Sequence, residues 1–496
     1  METVYSPLPL FALSASLVGA FLILFTGSKK PNLREFWTML ASVAQFIFIY
    51  SMLAYTLQGK IVEYTIIEIY KGIALQLRVD AFGMIFALLS SSLWIVVSFY
   101  SIGYMRSLDE HAQTRYFFCF AIALFGATGV ALSGNLLTLY MFYEILTIST
   151  YPLVAHKETP EAIKAGRKYL AYLLTGAAFV LFSISFTYYL TGTLDFVAGG
   201  FLKGHGSPEV LRIIFASFII GFGTKAAIMP LHEWLPSAMV APTPVSALLH
   251  AVAVVKAGVF CVLRVILYIF GPKVLSDLNI WLILAYVISF TVIFANIIAL
   301  TQDNLKRRLA FSTINNLAII ILGASLLTSD SLRGAILHIP FHGFMKITLF
   351  MCAGAIYIKT RKELISEMDG IGREMPVTMA AFTIGTAGLV GIPPVCGFIS
   401  KWYFCMGALQ AKEILFLFVF LVSALLDAAY FFPIVYNAFF KRGNMKPLRF
   451  NEAPFLVVAP LIITAIFSVI FCIFPDLFLK FYSITTLVVK TIFMGA

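Results

Sequence analysis

Runs of about 20 consecutive apolar residues recur along the whole chain, and no other feature limits its fold so sharply. A hydrocarbon layer about 30 Å thick is crossed by a helix of about 20 apolar residues. The runs do not alternate polar and apolar residues, which argues against the strands of a membrane barrel. Hydrophobic residues make up 60% of the 496 and charged ones 12%, more apolar surface than a soluble core of this length needs. The sequence therefore predicts an all-α polytopic membrane protein.

Fourteen spans are read, at 7–26, 35–56, 79–104, 115–133, 135–155, 164–191, 209–230, 246–270, 278–301, 305–327, 332–357, 376–408, 414–438 and 453–475. The apolar tail after Pro475 extends the last span or lies at the interface. The first run lacks a basic leader and an A-x-A site, so it is taken as a span rather than a cleaved signal. Loop charge tests the count. One set of alternate loops, including GSKKPNLR, HKETPEAIKAGRK, DNLKRR, KTRKELISEMDGIGRE and KRGNMKPLR, holds 20 Lys and Arg; the other set with both termini holds 10. This bias puts the first set inside and both termini outside a cell membrane. It also accounts for the net charge of +11 without a nucleic-acid partner.

Between spans two and three, residues 57–78 mix apolar and polar residues and read as a short outside β-hairpin or interfacial segment. The loop from Lys359 to Glu374 is expected to hold a short amphipathic helix. All six cysteines fall in apolar runs without metal-type spacing and read as small buried hydrophobes.

Two spans are interrupted. KAAIMPLHEWLPSAMVAPTP carries Pro230, Pro236, Pro242 and Pro244, and GLVGIPPVCGFISKW carries Gly391, Pro393, Pro394 and Gly397. Proline removes a backbone donor and clashes with the preceding turn, and in lipid the freed carbonyls need partners in protein or trapped water. Each break falls in the fourth span of a block of five, which points to two inverted five-helix repeats with an ion path between them. The expected organisation is a single membrane domain over 1–496. Helices one to three occupy 1–105, the repeats 115–270 and 278–438, and a last helix 453–496.

Charges inside spans cost roughly 2.5–3.5 kcal/mol each on insertion scales, yet Glu144, Lys225, Lys256, Lys346, Lys401 and Asp427 all lie within them. In HIPFHGFMK, His338, His342 and Lys346 stand at i, i+4 and i+8 on one helix face, roughly 12 Å long. Burial disfavours the charged form of a lysine, so a desolvated one can exchange a proton near neutrality. A Glu144–Lys225 pair would then be a switch, with Lys256 the next acceptor. His250, six residues before Lys256, could join it through water. His232 and Glu233 resemble a metal pair only superficially, since no H-E-x-x-H follows; they read as a structural cap or a channel mouth. Arg264 either snorkels or pairs, and Asp427 is either a partner or an extra ion site.

At these residues the chain resembles the antiporter-like proton-channel subunits shared by respiratory complex I, Mrp-type multi-subunit Na+/H+ antiporters and membrane-bound hydrogenases. The resemblance lies in VDAFGMIFALLSSSLWIVVSFYSIGYM, MFYEILTISTYPL, GTKAAIMPLHEWLPSAMVAPTPVSALLHAVAVVKAGVF, QDNLKRRLAFSTINNLA, HIPFHGFMKITLF and GIPPVCGFISKW. It implies fourteen helices, with the seventh and twelfth broken and a row of buried charges at mid-membrane. Carried over, the row is Glu144, Lys225, Lys256 with His250 before it, Lys346 and Lys401. The chain departs from many relatives in having Asn315 and Asn316 after Ser312-Thr313-Ile314, where they have a histidine or glutamine; that takes one titratable group from helix ten. Asp427 is not common to the whole family. No long lateral helix follows the last span, so compact members, of the Mrp D-like type and its hydrogenase counterparts, are the nearer match.

The expected function is proton translocation along Glu144, Lys225, His250, Lys256, His338, His342, Lys346 and Lys401, with Asp427 and Arg264 as possible additions. Its setting would be a multi-subunit complex. The alternatives are a standalone secondary Na+/H+ antiporter and a non-transporting membrane scaffold. Lysines are poor sodium ligands, since hard cations prefer oxygen. The sequence offers no iron–sulfur, flavin, nucleotide or haem motif and no catalytic, metal or cofactor residues, so no cofactor is expected in this chain. Whether the whole complex is a redox enzyme, NADH:quinone oxidoreductase-like or hydrogenase, is left to its partner subunits. The expected partners are other membrane subunits, H+, Na+ as a candidate second ion, and lipid.

Overall fold

A helix lies within each of the fourteen apolar segments of the computed structural model, which describes residues 2–70, 73–441 and 450–494. Most of the predicted loop KRGNMKPLR, residues 442–449, lies outside the described residues, as do Lys71 and Gly72 of the predicted hairpin. Eleven described helices are long and apolar enough to cross a membrane by composition alone. Pro208–Lys225 is not among them because Glu209, Arg212 and Lys225 dilute its apolar run. The apolar segment 376–408 is divided into Pro376–Val390 and Gly397–Gln410.

The centre of the molecule is the segment Thr243–Asp277, buried along nearly its whole length, with Leu305–Ser325 and Ser329–Thr360 beside it. Leu8–Thr26, Pro31–Ser51, Pro160–Thr191, Ile280–Thr301 and Ile414–Phe440 lie at the periphery and leave rows of large apolar side chains exposed, among them Phe25, Ile47, Tyr189, Ile283 and Leu425. An apolar rim of this kind fits a hydrocarbon solvent and would be a liability in water.

Close helix contacts use small residues, as packing inside a membrane favours. Pro160–Thr191 and Pro208–Lys225 cross where a Cβ on Gly176 would stand 2.9 Å from the Gly221 carbonyl, and one on Gly221 would stand 2.7 Å from that of Gly176. Pro340 and Gly343 do not interrupt Ser329–Thr360, which runs as one helix of 32 residues.

The predicted hairpin forms: Ile61–Tyr70 pairs antiparallel with Ile73–Val79, Val62 opposite Val79. Thr3–Tyr5 adds a parallel third strand with Thr3 opposite Ile61, a contact between distant segments that local alternation could not signal. The sheet is tied to the start of the helix Leu136–Val154, where Gln76 N donates to Thr138 Oγ1 at 3.0 Å. In the Lys359–Glu374 loop the helix content is two short turns, Ile365–Glu367 and Ile371–Glu374.

Candidate functional site: a buried row of basic side chains

The first break sets Lys225. The helix Pro208–Lys225 stops at that residue, and a turn over 226–233 leads to the short helix Trp234–Ser237. Carbonyls freed there find donors: Trp234 Nε1 donates to Thr224 O at 2.8 Å, and Ile228 N donates to Gly223 O at 2.9 Å. The next helix presses on the turn, since a Cβ on Gly258 would stand 2.4 Å from Ala226 N. Only a glycine allows that approach. At the second break Cys396 N donates to Ser468 O at 2.9 Å, and a Cβ on Gly397 would stand 1.9 Å from the Gly388 carbonyl.

Lys225, Lys256 and Lys346 are fully buried, and the Lys401 side chain is 13% exposed. None lies on the apolar rim. Lys225 Nζ donates to Tyr143 O and to Thr147 Oγ1, both at 2.8 Å, and sits over the Tyr143 ring. Glu144, the expected switch partner of Lys225, makes no hydrogen bond or ion pair with it among the described residues. Tyr143 and Thr147 are one helical turn apart and face the lysine; Glu144 lies on the flank of that helix, half-buried, with Met141 and Ile148 exposed on the same side. Its Oε1 is buried without a hydrogen-bond partner among the described residues.

Lys256 Nζ lies 2.7 Å from His342 Nδ1, joining the segment Thr243–Asp277 to Ser329–Thr360. His338 follows one turn back, with ring centroids 5.8 Å apart. Its Nδ1 is 2.7 Å from Ser400 Oγ and its Nε2 3.1 Å from Asn316 Oδ1. His250 lies in a wide π-helical turn, Leu248–Val252, directly before the Lys256 helix. Such turns re-aim side chains and recur at functional sites. The ring rests on Phe350 at 4.7 Å, and neither nitrogen has a partner among the described residues.

Lys346 turns to the helix Leu305–Ser325, donating to Ser312 Oγ at 2.8 Å. Lys401 donates to the Val390 carbonyl at 3.3 Å and pairs with Asp427 Oδ2 at 3.0 Å. Asp427 Oδ1 accepts from Asn315 at 3.2 Å and from the Tyr430 hydroxyl. Ser423 donates to Asn315 Oδ1 at 2.9 Å and accepts from Asn296 at 3.0 Å. Of the two readings of Asp427, the geometry supports the partner.

The helix Leu305–Ser325 thus anchors much of the row. Ser312, Asn315 and Asn316 share a face and receive Lys346, Asp427 and His338 respectively. The asparagines, read from sequence only as a missing titratable group, are hydrogen-bonding members of the site. Their i, i+3, i+4 spacing was the available signal, as was the i, i+4 spacing of Tyr143 and Thr147.

Arg264 is elsewhere. Its guanidinium grips Asp80 with Nη1 at 2.5 Å from Oδ2 and Nη2 at 2.8 Å from Oδ1, among the rings of Phe82, Phe196, Phe260 and Tyr268. Asp80 also caps the helix Ala81–Ser107 by accepting from Gly83 N. A guanidinium keeps its proton, so this is a structural pair. Glu233 forms an ion pair with Lys168, whose ammonium holds the carboxyl below its ordinary value. That arrangement fits a structural cap better than a metal pair.

The family described as NADH:quinone oxidoreductase/Mrp antiporter, TM matches residues 133–427, which hold every residue of the row from Glu144 to Asp427. NADH-quinone oxidoreductase subunit N of Desulforudis audaxviator is 32% identical over 378 residues, 74% of this chain and 74% of that protein. An Na(+)/H(+) antiporter subunit of Alkalihalophilus pseudofirmus is 31% identical over 92% of this chain, which spans only 60% of that protein. A chain in the structure of the membrane-bound sulfane sulfur reductase, an archaeal respiratory membrane complex, is 25% identical with a TM-score of 0.84, covering 98% of both chains. With its helical membrane fold, its two broken segments and its buried lysines, this chain belongs to the NADH:quinone oxidoreductase/Mrp antiporter membrane family.

Proposed function

We propose that the chain is a proton-translocating, antiporter-like subunit of a multi-subunit membrane complex of the complex I-like, Mrp or membrane-bound hydrogenase type. The observation that carries this reading is the contact of Lys256 with His342 at 2.7 Å, both fully buried. An amine and an imidazole at that distance share a proton through one hydrogen bond, and two full charges there would repel. The proton passes from Lys225 to Lys256 and His342, along His338 and Lys346, and leaves at Lys401. Asp427 holds Lys401 at the end of the row. His250 and Glu144 are the points where water enters the path, because both His250 nitrogens and Glu144 Oε1 are buried without a partner among the described residues.

Helices one to three over 1–105, repeats over 115–270 and 278–438 and a closing helix over 453–496 form one membrane domain of fourteen spans. The Lys- and Arg-rich loops face the cytoplasm and both termini face outward across the cell membrane. The driving signal comes from other membrane subunits, and the transported ion is H+. Sodium, if exchanged, binds elsewhere, because Asp427 is occupied by Lys401.

The test is proton movement by the assembled complex in vesicles. Lys225→Ala and Lys256→Ala abolish it while the complex still assembles. Unchanged transport in both variants would make the charges structural and remove the proposal.

A further inference from the structure

Outside the row, three side chains with metal-binding chemistry meet at the end of the molecule opposite the sheet. The helix Leu136–Val154 begins beside the hairpin, at Thr138, and His156 lies just beyond its far end. The loop after the helix Ala81–Ser107 brings Glu110 and His111 to the same place, with Asp109 and Ala112 held at positive φ on either side. Glu110, His111 and His156 each place one ligand atom within 4.8 Å of the others. The two imidazoles stack at 4.8 Å, and Tyr116 closes the inner side edge-on at 5.7 Å.

His156 makes this more than a chance grouping. The residue is 0% exposed, yet neither ring nitrogen has a hydrogen-bond partner among the described residues. Burying polar atoms unpaired is costly. His111 is exposed and Glu110 half-buried, so both can turn towards a common centre. Glu110 also borders a surface cleft with Pro31, Arg34 and Gln113, a route of entry from solvent. The surrounding charge is tolerable: Arg115 is engaged by Glu158 and by the His156 carbonyl, and the nearby helix C-terminus carries partial negative charge.

We propose that Glu110, His111 and His156 form a binding site for a zinc-class divalent cation that ties the loop 107–112 to the end of the helix bearing Tyr143, Glu144 and Thr147. Two imidazoles and one carboxylate are a zinc donor set, with water as the fourth ligand. Calcium and magnesium prefer oxygen alone. Zinc ligands stand about 2.0–2.2 Å from the ion, and the exposed His111 and half-buried Glu110 can close on His156 to reach it. A bound ion would brace the helix whose Tyr143 and Thr147 hold Lys225.

The test is titration of the full, tag-free chain in detergent with Co2+ and then Zn2+. It is followed by calorimetry and by the visible absorption of low-coordinate cobalt. The parent chain takes up one ion with a four-coordinate spectrum that Zn2+ displaces. His156→Leu and His111→Ala each weaken binding by at least about tenfold, while His205→Ala leaves it unchanged. Because His111 is exposed, its substitution tests the site even where His156→Leu fails to fold. Absence of uptake by the folded parent at millimolar metal, or a cobalt spectrum that survives His111→Ala, would overturn the site.

Discussion

Asp427→Asn isolates one electrostatic contact in the row. The substitution keeps the size of the side chain and removes the counter-charge of Lys401, 3.0 Å away. At that distance and an effective dielectric of about 20, Coulomb's law gives about 5–6 kcal/mol. The Lys401 side chain is 13% exposed and keeps the Val390 carbonyl at 3.3 Å. Those contacts bring the loss towards the ~3–5 kcal/mol typical of a buried pair broken on one side. The carboxylate favours the protonated lysine, so its loss falls on the step that loads Lys401; if even 3 kcal/mol appears in that barrier, the rate falls on the order of 100-fold. The assay is proton uptake by vesicles holding the assembled complex, with co-purification of the other subunits as the check on assembly. Asp427→Glu keeps the charge and much of the rate. A rate for Asp427→Asn within about twofold of the parent, in a fully assembled complex, would refute the role given to this pair.

Two further substitutions separate structural from transport roles. Asp80→Asn strands the Arg264 guanidinium in its aromatic cage and lowers stability by ~3–5 kcal/mol, read as a lower unfolding temperature in detergent; adding Arg264→Met restores most of it. Asn316→Ala removes the acceptor of His338 Nε2, a loss of ~1–2 kcal/mol that should slow transport by roughly tenfold without changing assembly.

Hydrophobic length made the spans legible, because one 20-residue run carries its own signal in one dimension. The breaks were legible for the same reason: Pro230 and Pro394 interrupt apolar sequence visibly. The identities of the buried basic groups followed from the cost of putting them in lipid. Their partners did not. Tyr143 holds Lys225 with its main-chain carbonyl, and every residue has one of those. Asp80 and Arg264 are 184 positions apart, and nothing local in either segment announces the other. Opposite charges make Glu144 and Lys225 read as a switch pair, but the sequence does not say how close they lie. A helix turns 100° per residue, however, so the face that offers Tyr143 and Thr147 to the lysine carries Glu144 to the flank. Asn315 and Asn316 misled in another way. Titratable groups draw attention in a relay, while an amide that only orients its neighbours does not.

The row is not a continuous wire. Lys225 is held by Tyr143 and Thr147, Lys256 by His342, His338 by Ser400 and Asn316, Lys346 by Ser312 and Lys401 by Asp427. Within each group the proton has a partner; between groups a side chain must turn or water must bridge. Under the proposed function this spacing is an advantage. An unbroken hydrogen-bonded file would conduct protons down any gradient and dissipate it, whereas separated stations pass a proton only when something shifts one station towards the next. His250, whose two nitrogens have no partner among the described residues, lies in a π-turn beside Lys256, and His342 Nε2 likewise has none among them; both stand where such a shift would be felt. Under that proposal control of the row resides in the gaps, and the helices that set their width, broken at 226–233 and at 391–396, are the elements that a neighbouring membrane subunit would have to move.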